Sequence, residues 1–254
     1  MHQPTLRVLQ ILERIAKEND GLRLADFSRE LNIPKSTLVP ILQTLCDQRY
    51  LSITEANRYT AGTALFSLGT AFTGSFPVLR YVRQQLELMV EKLGETCFFG
   101  ALNGGDVLYL EKVDSPEPIR MLTSVGRRLP AYATGLGKAL LAGYDEAALR
   151  RVYPHGLEAL TEHTVTDFAA LADQLAQAAQ LGYAWECEES TPHVRCFAVP
   201  IRKHKKVVAA ISVTIPLFRY RQEDRDRILL VLQSTAGQMG YILEDTDAHF
   251  GELF

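Results

Sequence analysis

Between residues 1 and 60, hydrophobic positions recur at helical spacing and then switch to alternation. Leu9, Leu12 and Ile15 place an apolar face on an opening helix from about Thr5 to Lys17. After the Asp20-Gly21 break, Leu24, Phe27 and Leu31 fall at i, i+3 and i+7 and predict a short helix closed by Asn32-Ile33-Pro34. Leu38, Ile41, Leu42 and Leu45 carry the next stripe, on a helix whose first position suits Pro34. Tyr50 to Ile53 and Arg58 to Thr60 then read as short strands around Thr54-Glu55-Ala56-Asn57. Helix, turn, helix and charged hairpin in that order describe a winged helix-turn-helix, so DNA is the first partner to consider.

Beyond it, Ala61 to Phe72 predicts a linker helix ending in a Thr73-Gly74-Ser75 hinge, and Val78 to Leu93 a longer amphipathic helix. The period then changes. Thr96 to Leu102, Val107 to Glu111 and Ile119 to Leu122 predict strands, the first two joined at Asn103-Gly104-Gly105-Asp106. Helices are expected at Ala133 to Ala142, Glu146 to Val152 and Phe168 to Leu181, strands at Tyr183 to Cys187, Val194 to Ile201 and Val207 to Ile215, and a closing helix at Arg225 to Leu243. Helices flanking an antiparallel sheet make the class α+β.

Two segments carry candidate chemistry. On the second helix of the helix-turn-helix, Lys35, Ser36 and Thr37 set an ammonium and two hydroxyls beside the unpaired N–H groups of a helix start, a surface suited to phosphates and base edges. Gln43 on the same helix and Arg58 and Tyr59 on the wing complete the predicted DNA-contacting set. Further on, Ala133-Thr134-Gly135-Leu136-Gly137-Lys138 offers glycines and a hydroxyl at a helix start, where amides and the helix dipole favour a small anion such as a carboxylate. It is a poor phosphate loop: Tyr132 replaces the leading glycine and Ala139 the magnesium-binding hydroxyl.

Bulk properties narrow the class. A chain of 254 residues with 47% hydrophobic content favours two domains. No apolar run approaches the roughly 20 residues of a membrane span, and Met1-His2-Gln3-Pro4 does not open a signal peptide, so a cytoplasmic location without membrane contact is expected. Cys46, Cys97, Cys187 and Cys196 lack paired spacing, which predicts reduced thiols and neither metal nor cofactor. Residues 1–60 hold 8 Lys+Arg against 7 Asp+Glu in a chain of net charge −3, so one copy would bind DNA weakly through phosphates, and a dimer or tetramer reading repeated half-sites is expected.

At residue level the chain resembles IclR-family transcriptional regulators. Thr5-Leu6-Arg7-Val8-Leu9-Gln10-Ile11-Leu12, Gly21-Leu22-Arg23-Leu24, Ile33-Pro34-Lys35-Ser36-Thr37-Leu38 and Arg58-Tyr59-Thr60-Ala61-Gly62 match the DNA-binding domain of that family. Leu129 to Leu141, Gly182 to Glu189 and Val194 to Pro200 match its effector domain. The resemblance implies a winged helix-turn-helix at 1–60, a linker helix at 61–75 and a GAF-like effector-binding and oligomerisation domain at 76–254. It also implies a pocket for a small organic acid lined by Met121, Leu129, Gly135, Leu136, Glu186, Val194, Cys196, Ser212 and Thr214, to which the helix-start residues Ala133 and Thr134 are added. The expected function is a ligand-responsive regulator, a repressor of a catabolic operon, with an operator duplex, a small effector and further copies of itself as partners.

The chain departs from the family pattern at Val39-Pro40, where a polar pair is usual on the recognition helix. If Pro34 opens the helix, Pro40 is interior and costs about 3 kcal/mol unless the helix bends; if Thr37 is the cap, Pro40 falls in the first turn and is tolerated. This pair supports an alternative, a sensor with reduced DNA binding. His193 stands where the family more often has glycine, either reshaping the pocket rim or lying solvated in a loop. A cysteine-dependent enzyme built on Cys196, His193 and Glu188 is disfavoured, because residues 193 and 196 of one extended strand point to opposite faces.

Overall fold

The computed structural model describes residues 1–18, 20–74, 78–119 and 123–244, and the chain divides into two compact units after residue 77. In the first unit, α1 (Gln3–Ile15), α2 (Leu24–Glu30) and α3 (Lys35–Asp47) pack around Ile11, Phe27, Leu38 and Leu42, all fully buried. The wing pairs β1 (Leu51–Ile53) with β2 (Tyr59–Ala61), and a bridge between Leu22 and Tyr59 adds the approach to α2 as a third partner. Gly21 has φ of +72°, and a Cβ there would lie 2.7 Å from the Tyr59 carbonyl oxygen, so the close approach requires glycine. The unit ends in α4 (Thr63–Gly74), apolar, without charged residues and with no buried residue. The hinge expected at Thr73-Gly74-Ser75 extends outside the described residues.

Pro34 remains extended as the cap, Lys35 is the first helical residue, and Pro40 is interior. Both expected helix starts are therefore corrected: the Pro34 carbonyl accepts the Thr37 and Leu38 amides, so Pro34 is the cap rather than the first helical residue, and Thr37 lies inside the helix.

The second unit contains α5 (Val78–Leu93) and a six-stranded antiparallel sheet of β3 (Thr96–Asn103), β4 (Asp106–Val113), β5 (Arg128–Pro130), β6 (Ala184–Cys187), β7 (Val194–Lys203) and β8 (Lys206–Pro216), ordered β5-β4-β3-β8-β7-β6. β3 and β4 join through Gly104-Gly105, where Gly104 takes φ of +62° in the tight turn that the sequence predicts. Helices α6 (Gly135–Leu140), α7 (Glu146–Val152) and α8 (Phe168–Leu181) build one apolar core with the sheet, while α5 and α9 (Arg225–Glu244) contact each other and strands β3, β4, β7 and β8. Coverage on both sides explains why β3 and β8 are buried at successive positions. Asp145 and Asp167 cap α7 and α8 through the Ala148 and Ala170 amides, and Gly182 closes α8 in a left-handed conformation.

Three expectations need correction. The helix from Ala133 is a 3-10 turn (Ala131–Ala133) followed by α6, because Thr134 is extended and acts as the α6 cap. Ile119 lies in a bend rather than a strand, and 120–122 are outside the described residues. β5 is additional, paired with β4 beside the Pro130 that had masked it.

Candidate effector pocket and DNA-binding surface

Antiparallel register builds the pocket floor. Glu186 pairs with Cys196, Cys196 with Thr214 and Thr214 with Thr96; the adjoining row carries Ala198, Ser212 and Phe98. Directly opposed residues share a face, so four strands deliver these side chains to one side of the sheet. The start of α6 closes over them: a Cβ on Gly135 would lie 2.8 Å from Cys196 Sγ. The Thr134 hydroxyl accepts the Gly137 amide at 2.9 Å, which occupies one helix-start donor.

The described residues enclose a cavity of about 20 Å³, roughly the space of one water molecule. Leu129, Thr134, Gly135, Glu186, Val194, Cys196, Ser212 and Thr214 line it. Met121 lies outside the described residues. Ala133 and Leu136 do not line the cavity: both are buried in the apolar core, Leu136 filling the space at Gly100 that a side chain would occupy. Sequence reasoning missed Phe98, Tyr109, Thr123, Ser190 and Thr191 as lining residues. Strand pairing could have found Phe98, which opposes Ser212, and Tyr109, which opposes Gly100 two residues further along β3; Thr123, Ser190 and Thr191 lie outside the strands.

The cavity is apolar along Phe98, Leu129 and Val194 and hydroxyl-rich elsewhere, and no Lys or Arg lines it among the described residues. Its one carboxylate, Glu186, is 2% exposed, and burial pushes its carboxyl up to about 7. Glu186 Oε2 accepts the Glu189 amide at 2.8 Å and Oε1 accepts the Ser190 hydroxyl at 3.4 Å. The Cys196 thiol is pushed up to about 12, first by burial and then by Glu186, and receives the Thr214 hydroxyl at 3.7 Å. A thiol held neutral in this way is a soft wall. His193 is exposed with φ of +62° and faces Glu188, a solvated loop residue in a backbone conformation that glycine adopts freely. Trp185 projects from β6 beside Glu186, its ring 5.7 Å from that of Tyr183.

On the first unit, Lys35, Ser36, Val39, Pro40 and Gln43 form the exposed face of α3, with Thr37 half-buried. Gln43 Nε2 donates to Asp47 Oδ1 at 2.9 Å. Arg58 Nη1 donates to the Gly21 carbonyl at 2.7 Å, which ties the wing to the segment entering α2. The Tyr59 ring meets Phe27 edge-on at 6.0 Å and belongs to the core rim, so its contribution is packing, with burial raising its phenol.

Residues 5–52 match the model of the IclR helix-turn-helix domain, and residues 70–241 that of the bacterial transcriptional regulator IclR C-terminal domain. The chain belongs to the IclR family of transcriptional regulators. Among its relatives is the HTH-type transcriptional regulator KdgR of Escherichia coli K12, 31% identical over 244 residues, 93% of this chain and 92% of that protein. The transcriptional repressor IclR of the same organism is 31% identical over 222 residues, 85% of this chain and 81% of its own. A crystal structure of an IclR homologue from Microbacterium hydrocarbonoxydans complexed with 4-hydroxybenzoate superposes with a TM-score of 0.79 at 26% identity, covering 96% of this chain and 100% of that one. This IclR-family chain is thus a DNA-binding transcriptional regulator.

Proposed function

We propose that this regulator represses a catabolic operon and releases its operator when a small organic acid expands and occupies the water-sized pocket above Cys196, Ser212 and Thr214. The observation that carries the reading is the division of the cavity into an apolar wall and a hydroxyl cluster around one buried carboxylate. An anionic ligand is repelled by an ionised Glu186 and accepted by a protonated one; a ligand hydroxyl can also donate to it. A hydroxylated carboxylic or aromatic acid meets both conditions, and the 4-hydroxybenzoate held by the homologue has this chemistry. Repression is supported by the relative named as a repressor.

DNA binding in this reading uses Lys35, Ser36, Thr37, Gln43 and Arg58, with residues 1–60 as the reading head, 61–75 as linker and 76–254 as sensor. Two or more copies bind repeated half-sites, and effector occupancy changes operator affinity by a coupling of about 1 to 3 kcal/mol. The test is a thermal-shift screen of small carboxylic and aromatic acids, followed by gel-shift on the upstream region of its own operon. With the acid that stabilises the protein, Ser212→Ala should weaken binding by about 0.5 to 1.5 kcal/mol, and Gly135→Val, which drives a side chain into Cys196, should abolish the response while DNA binding persists. A full response in both variants would move the effector to another surface.

A further inference from the structure

Lys138 on α6 is 2% exposed. Burying an ammonium is costly without partners, and two side chains supply them: Nζ donates to Glu189 Oε1 at 2.5 Å and to Gln174 Oε1 of α8 at 2.7 Å. Glu189 is itself buried, and its second oxygen, Oε2, has no hydrogen-bond partner among the described residues. A buried pair with an orphaned oxygen is a poor source of stability, because desolvation of both charges is only partly repaid. What it supplies is position.

Glu189 lies in the turn joining β6 to β7 and is held at its other polar atoms as well. Its amide donates to Glu186 Oε2 at 2.8 Å, and its carbonyl accepts the Thr164 hydroxyl at 2.7 Å. The preceding carbonyl, of Glu188, accepts the Thr161 hydroxyl at 2.6 Å, and Glu188 has φ of +61°. Ser190 and Thr191, the next residues, line the cavity.

We propose that Lys138 and Glu189 are positioning residues for the pocket: the pair fixes the 186–191 turn to α6, holding the Glu186 carboxylate and the Ser190 and Thr191 hydroxyls over Cys196. This rests on the pocket assignment above, but its test needs no effector. Cys196 lies under the turn, whereas Cys97 opposes Val213 on the other face of the same sheet. Both thiols are buried, so alkylation of either requires opening.

The full-length protein and the Lys138→Met/Glu189→Met variant, which leaves no lone buried charge, are treated with iodoacetamide, and labelling of each cysteine is followed by peptide mass spectrometry. Cys196 labelling should accelerate on the order of tenfold or more, the loss expected for a charge-assisted hydrogen bond, while Cys97 stays slow. Glu189→Gln, which can still accept from Lys138, gives a smaller increase and serves if the double variant does not fold. Unchanged Cys196 labelling, or equal acceleration at Cys97, overturns the proposal: the first means that the turn stands without the pair, the second that the pair merely holds the fold. Either result leaves the effector reading to its own titration.

Discussion

Glu186 ties the chemistry of the pocket to the stability of its unit. Burial holds its carboxyl at about 7 against 4.5 when exposed, so the folded state keeps a proton that the unfolded chain gives up. The resulting contribution to stability is complete below about pH 4.5 and is lost as pH rises to about 7. Removing the carboxyl by Glu186→Gln should shrink the loss of unfolding free energy between pH 5 and pH 8 by on the order of 3 kcal/mol, measured by urea unfolding followed by circular dichroism. An unchanged pH dependence would assign the titration to another group. The same residue shows where sequence reading reaches its limit. Glu186, Cys196, Ser212 and Thr214 were legible through the resemblance to the IclR effector domain, but the proton affinity of Glu186 depends on burial and on an amide three residues ahead that no motif describes. Ser190 and Thr191 were illegible for a related reason: their path follows long-range bonds to Thr161, Thr164 and Lys138.

Among the elements, α3 carries the clearest conflict between local preference and tertiary demand. Pro40 interrupts the helix at its sixth position, depriving the Ser36 carbonyl of its i+4 amide, yet the apolar stripe of Leu38, Leu42 and Leu45 keeps the helix in one piece against the core. The Thr44 hydroxyl donates to the Pro40 carbonyl at 2.8 Å one turn later. Pro40→Ala should therefore stabilise the first unit by about 1 to 3 kcal/mol, seen as a higher melting temperature. Pro40→Arg should add a phosphate contact, steepening the salt dependence of operator binding by about one. Tighter binding by the Arg variant alone would separate readout from helix stability; no change in either would mean that another face of the domain reads the DNA. Helices α7 and α8 were legible to the residue, since Asp145 and Asp167 announce their starts and Gly182 the end of α8. β5 was not, because three residues ending in proline carry too little alternation to be distinguished from loop.

At the scale of the whole molecule, the proposed pairing of copies is expected to use α4. It has no charged side chain, buries nothing, and leaves Phe66 78% and Leu68 56% exposed. Beside the hydroxyl stripe of Thr63, Ser67 and Thr70, an exposed apolar face of this kind is ordinarily covered, and the expected cover is the same helix of a second copy. Phe66→Asp/Leu68→Asp should raise the dimer dissociation constant by about two orders of magnitude in sedimentation, with operator affinity falling alongside; unaltered sedimentation would place the interface elsewhere. A dimer is also what the charge balance calls for, since residues 1–60 carry a surplus of only one positive charge per copy. Finally, the chain has a single tryptophan, Trp185, and it stands in β6 next to Glu186. Excited selectively, at wavelengths too long for tyrosine, its indole emission comes from the second unit, and Tyr50 and Tyr59 of the first unit stay silent. Operator DNA that alters the sensor should shift that emission, and effector binding should shift it as well, so the two directions of allosteric communication are open to one optical measurement.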